Sequence, residues 1–188
     1  MANKDRPNGF TATQHGSGGS ANRLSRYHIA DGLAANLFRG DAVIPVTTTK
    51  NITIPGAATA RLIGVFSGCT YIDTTGAVHY GRWPTGQAVQ TGSTPDAWVY
   101  DDPKTIFEAQ VTAGFTLADI GVLANPSLGA GNATTNTSGH EVDSSTYATG
   151  TVLKIVDYVR RPENEVGTNA KVLVQIALHY LGGGLTAI

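Results

Sequence analysis

Cysteine occurs once in the 188 residues, at Cys69, and the charged residues Asp, Glu, Lys and Arg make up only 14% of the chain. A single thiol excludes an intramolecular disulfide framework and any zinc site built from cysteines. A formal net charge of −1 excludes a global electrostatic pull towards nucleic acid or an anionic membrane. No uninterrupted apolar stretch approaches membrane-spanning length, and the first twenty residues lack the apolar run of a secretory signal. These absences predict a protein made in, and soluble in, a cytoplasm, with neither nucleic acid nor membrane as partner. Without a secretory signal, the Asn-x-Ser/Thr triplets at Asn51, Asn132 and Asn136 are chance products of an Asn- and Thr-rich chain. Cys69 follows the apolar run Leu62-Ile63-Gly64-Val65-Phe66, a setting for a buried, inert thiol.

What is abundant is glycine, 23 residues, with threonine throughout. Threonine suits a pleated surface and glycine supplies turn conformations closed to other residues, so the balance favours strands and turns. From Tyr27 onward, short apolar runs alternate with Gly, Pro, Asn and Asp clusters. That pattern predicts strands over 42–46, 51–54, 60–66, 77–83, 97–100, 105–111, 151–159 and 171–180. The clearest places Val172, Val174, Ile176, Leu178 and Tyr180 on one face. Only 27–38 and 115–123 look helical, for one or two turns at most. Residues 125–150 show no hydrophobic period before Val142 and predict a long surface loop. Residues 1–26, polar and glycine-rich, contain only Phe10 and Leu24 as bulky apolar residues and are locally basic, which predicts a flexible N-terminal arm. The whole is an all-β chain: a small antiparallel β-barrel or sandwich over 27–188, with an extended arm and a long loop.

No chemistry-bearing motif stands out. The five histidines, at 15, 28, 79, 140 and 179, show no metal-ligand spacing, and His140-Glu141-Val142-Asp143 is at best a weak cation site. Gly-x-Ser-x-Gly-like strings fall only in the Gly-Ser part of the arm, and no phosphate-cradling glycine motif is present. Asp101-Asp102 before Pro103 has the look of a carboxylate dyad but also of a strand end followed by a turn, which is the preferred reading. Trp83 and Trp98, with Tyr71, Tyr80 and Tyr100, offer the aromatic area of a single-stranded nucleic-acid or sugar site, but only Arg82 lies beside them, so core or subunit-interface packing is the preferred reading. No enzyme, metal or cofactor is predicted.

Three stretches carry a family resemblance: Ala21-Asn22-Arg23 with Tyr27; Asp101-Asp102-Pro103-Lys104-Thr105-Ile106-Phe107-Glu108-Ala109-Gln110; and Val159-Arg160-Arg161-Pro162-Glu163-Asn164-Glu165-Val166-Gly167 leading into Lys171-Val172-Leu173-Val174-Gln175-Ile176. Together they resemble a group of tailed-bacteriophage virion structural proteins of the capsid decoration, or cement, type. The likeness lies chiefly from Asp101 onward. It implies a β-barrel body on the outer surface of the capsid, bound to the major capsid protein and to further copies of itself as a homo-oligomer, with a trimer as the first expectation.

On that reading Arg6, Phe10, Arg23 and Arg26 of the arm are the candidate capsid contacts, because Phe can fill a pocket and Arg can pair with carboxylates. Arg160, Arg161, Glu163 and Glu165 are candidates for a subunit or capsid contact. The rival readings are another virion part, such as a head-completion or tail protein, and a carbohydrate-binding host-attachment module using Trp83 and Trp98.

Overall fold

The computed structural model describes residues 3–21, 23–49 and 51–182. Among them are twelve strands: β1 (Thr11–His15), β2 (Ser25–His28), β3 (Ala42–Pro45), β4 (Ile52–Thr53), β5 (Gly64–Ile72), β6 (Val78–Gly81), β7 (Asp96–Tyr100), β8 (Thr105–Gln110), β9 (Leu123–Asn132), β10 (Thr137–Asp143), β11 (Leu153–Tyr158) and β12 (Lys171–Ile176). They form two antiparallel sheets. The first runs β1-β8-β12-β11-β9-β10, and the second β2-β7-β5-β3-β4 with β6 added to β5. The all-β expectation is met.

The first sheet curls into a half-barrel, and β10 returns towards the end of β8 through a parallel bridge between Val111 and Val142. Its interior holds Phe107, Val142, Leu153, Ile155, Val172, Val174 and Ile176. Strand β3 and the start of β5 are packed on both faces. Ala42 and Val65 join that interior, whereas Val43, Ile63 and Phe66 belong to a second core with Trp83 and Val99. Burial on two sides explains why 62–66 reads as a continuous apolar run rather than an alternation. Gly64 lies at the closest approach: a Cβ there would sit 2.1 Å from the carbonyl oxygen of Tyr100.

Alternation in β12 holds through Ile176 and then reverses. The N–H groups of Ala177 and Leu178 both reach the carbonyl of Val152, at 2.8 and 3.2 Å. Two residues opposing one make a bulge, and one extra residue sends every later side chain to the opposite face. His179 is therefore buried and Tyr180 exposed, the reverse of the sequence expectation.

The predicted arm is part of the body over its described residues. Phe10 is 3% exposed within the first core, β1 pairs with β8, and β2 pairs with β7. Composition could not show this, because the order comes from free strand edges supplied by residues far along the chain. The loop expected over 125–150 is largely the β9–β10 hairpin. Gly129 and Gly139 face one another there, and a Cβ on either would lie 2.2 Å from a carbonyl oxygen of the opposite strand. A hairpin this tightly approached has no room for the apolar side chains that would announce it. Of the two helix-like stretches, 115–123 contains one 3-10 turn at Leu117–Asp119, and 27–38 contains the end of β2 followed by turns and an isolated bridge.

Candidate functional site

Asp101 follows β7 and is 2% exposed. Its two carboxylate oxygens are used against β2: Oδ1 accepts from the Ser25 hydroxyl at 2.8 Å and lies 3.6 Å from Arg23 Nε, while Oδ2 accepts from the Tyr27 hydroxyl at 2.8 Å. Asp102 turns outward, where Oδ1 accepts from the Lys104 N–H and Oδ2 lies 3.4 Å from His15 Nε2. The two acids thus point to different partners instead of sharing one site. Tyr27 is pushed strongly towards its neutral form by burial and by its bond to Asp101.

Glu108 and Gln110, on β8, tie that strand to distant segments, Glu108 to the 159–171 stretch and Gln110 to the N-terminal segment and β10. Glu108 accepts from Arg161 and lies 3.5 Å from Lys171 Nζ. Gln110 accepts from the Arg6 N–H at 2.9 Å and donates to Asp5 and Glu141, both at 2.9 Å. Between β11 and β12, Asn164 is 5% exposed. Its amide donates to the carbonyls of Val159 and Lys171 and accepts from the Lys171 N–H, imitating a short piece of strand. Asn3 fastens the N-terminal segment to the same loop, donating to the carbonyls of Glu165 and Thr168 and accepting from the Glu165 N–H.

The predicted contact residues therefore divide into three. Arg6 meets the 159–171 loop, sharing a hollow of about 30 Å³ with Glu108 and Lys171. Arg160 is 76% exposed and pairs with Asp157, while Arg161 lies 3.9 Å from the exposed Glu163. Arg23 and Arg26 sit instead on or beside β2 at the edge of the second sheet, Arg26 against Asp96 at 3.4 Å. Phe10 is a core residue and is not available to a partner pocket.

Ser138, His140 and Asp41 have the residue types of an acyl-transfer site, but not its geometry. His140 Nδ1 accepts the Ala42 N–H at 3.1 Å and Nε2 faces Asp41 at 3.7 Å. Ser138 hydrogen-bonds Asp41 and accepts the His140 N–H, so neither ring nitrogen is placed to take its hydroxyl proton. All three are at most 2% exposed. Burial lowers the His140 pKa and raises that of Asp41. Among the described residues no three His, Cys, Asp or Glu side chains converge to hold a metal ion.

Trp83 is fully buried, its ring edge-on to Tyr71 at 5.1 Å, so it cannot serve a sugar site. Trp98 and Tyr80 are exposed. Sequence reasoning missed a groove of about 830 Å³ bounded by β1, β6 and the tip of the β9–β10 hairpin. Arg39 and Arg82 line it, with Tyr71, His79 and Tyr80, and no carboxylate does. Its lining comes from six separate stretches, and no spacing in the sequence signals that they meet. No protein-family model, curated protein or solved structure matches the chain.

Proposed function

We propose that the protein is a non-enzymatic decoration or cement protein that binds the outer surface of a tailed-phage head and stabilises contacts between major capsid protein subunits. One observation carries this reading: Arg6, from the N-terminal segment, and Arg161, from the β11–β12 loop, both lie beside Glu108 and Lys171 although they are far apart in the chain, with the exposed Arg160 next in sequence. The stretches of the phage resemblance interlock there, Glu108 with Arg161 and Lys171, and Asn164 with Lys171. Their side chains are spent on tying the strands and the loop together.

The contact is then made by the body, with the N-terminal segment fixed along it. A cement protein stabilises a shell by binding the assembled form better than the dissociated one, and modest affinity per copy suffices when a homo-oligomer engages several subunits. The test is binding of the purified protein to intact mature capsids that lack it, comparing the native chain with Arg6→Glu and Arg160→Glu. Hundreds of copies per shell, greater heat resistance of the particle, and weaker binding by both variants are expected. A handful of copies at one vertex would favour a head-completion or tail component instead.

Trp98 and Tyr80, exposed on the second sheet, favour a carbohydrate-binding host-attachment module as the second reading. Quenching of tryptophan fluorescence by host-surface glycans, in the absence of capsid binding, would select it.

A further inference from the structure

The groove between β1, β6 and the β9–β10 hairpin tip differs from the rest of the surface in its charge. Arg39 is exposed and has no carboxylate partner among the described residues. Arg82 lies 5.8 Å over the Phe38 ring, and its one hydrogen bond, at 3.4 Å, goes to the neutral Asn36 side chain. Of the six arginines outside the groove, four are matched, Arg23 with Asp101, Arg26 with Asp96, Arg160 with Asp157 and Arg161 with Glu108, while Arg6 and Arg61 stand apart from one another and from the groove's pair. His79 is held by Asp73, whose carboxyl is kept well below the usual carboxylate range by hydrogen bonds from Thr75 and His79. Two uncompensated guanidiniums thus face one cavity.

The shape of the lining says what kind of ligand fits. Residues 79–82 line the groove consecutively, as do 10–12 and 135–137. Side chains alternate across a strand, so a run of consecutive residues lines a cavity only where the backbone edge faces it. β6 pairs with β5 alone among the described strands, and all four of its residues are exposed. That edge ends at Trp83, whose N–H and carbonyl both go to Leu37. An unpaired edge is a template for an added strand.

We infer that this groove is a docking site for an extended, acidic polypeptide segment of another protein chain, which adds to the edge of β6 and places carboxylates on Arg39 and Arg82. Alternation of side chains along the added segment would send every second residue towards the arginines, and Tyr80, 77% exposed, would cover its apolar positions. Nucleic acid is the poorer match, because a phosphate backbone calls for a row of cations and only two face this cavity. The groove needs neither Arg6 nor the 159–171 loop, so its success or failure is separable from that of the capsid-contact surface.

The test is selection of a displayed library of random peptides, about ten residues each, on the full-length protein, followed by titration of the enriched peptides. Enrichment of Asp and Glu at alternate positions is expected, with affinity weakened about tenfold or more by Arg39→Glu and by Arg82→Gln. Arg26→Glu, on a different sheet edge, should leave affinity unchanged. Arg39 is exposed, so its variant should unfold at the native temperature, and that is checked in parallel. No acidic enrichment, or peptides that bind Arg39→Glu as tightly as the native chain, would overturn the assignment. So would tight binding of a thymidine oligonucleotide to the groove without peptide binding.

Discussion

His140 Nδ1 accepts the backbone N–H of Ala42 at 3.1 Å, joining strand β10 of the first sheet to strand β3 of the second inside the protein. The acceptor role fixes the ring as the neutral Nε2–H tautomer, and protonating Nδ1 would break the link. His179 is held the same way, its Nδ1 accepting from the Leu181 N–H.

Both rings have pKa values lowered by burial from the ordinary 6.5. On acidification the unfolded chain binds these protons first, so their contribution is complete above about pH 6.5 and is lost as the pH falls towards the folded values. Asp41, raised by burial, has the opposite sign, and its cost at neutral pH is relieved in acid. The two histidines together should lower the melting temperature as the pH falls below about 6.5, with the single Asp41 carboxyl opposing them. His140→Asn keeps an acceptor towards Ala42 without a titrating ring, and thermal melts of this variant should show a shallower dependence.

Replacing Asp101 with Ala strands the Ser25 and Tyr27 hydroxyls and removes the ion partner of Arg23. A loss of about 2–4 kcal/mol is expected from denaturant unfolding, since a buried hydrogen-bonded carboxylate is costly to remove. Asp102→Asn, at the more exposed neighbour, should cost about 1 kcal/mol or less.

Asn164 needs both its amide donors and its carbonyl. Asn164→Ala and Asn164→Asp should therefore both destabilise, by about 2–3 kcal/mol, because the acid supplies no donors for the Val159 and Lys171 carbonyls. Equilibrium unfolding of the two variants side by side checks this.

Phe10→Ala should cost about 3–5 kcal/mol, the range for a fully packed aromatic. A detachable arm would show almost no loss, so calorimetry of this variant separates the two pictures. For the same reason, deleting 1–26 removes β1 and the first half of β2 and damages the body as well as any contact.

Cys69 is buried, and burial pushes its thiol up to about 12. At pH 8 its labelling by an aromatic disulfide should be slow and should accelerate with denaturant along the unfolding transition. Rapid labelling in native buffer would contradict the packing around β5.

Several elements were legible in the chain because their cause is local. Alternation in 171–176 marks a half-buried strand and Asp-Asp-Pro marks a turn, whereas 105–110, which alternates in the same way, is buried on both faces, and the strand expected over 60–66 runs instead over Gly64–Ile72. Scarce charge and plentiful Gly and Thr were enough to indicate an all-β body. What escaped has causes far away in sequence. Residues 11–15 and 25–28 are strands because β8 and β7 offer them an edge, and the β9–β10 hairpin is silent because its strands touch through glycine. A bulge opposite Val152, not any local preference, turned His179 inward. The groove is the extreme case: Arg39, Arg82 and the 135–137 tip are ordinary residues in sequence, and only the meeting of two sheets left their charges facing one cavity without a carboxylate. Composition and period determine which residues can form strands and which faces seek burial. Pairing partners, register and the gaps between sheets are long-range choices, made by the free energy of the whole fold.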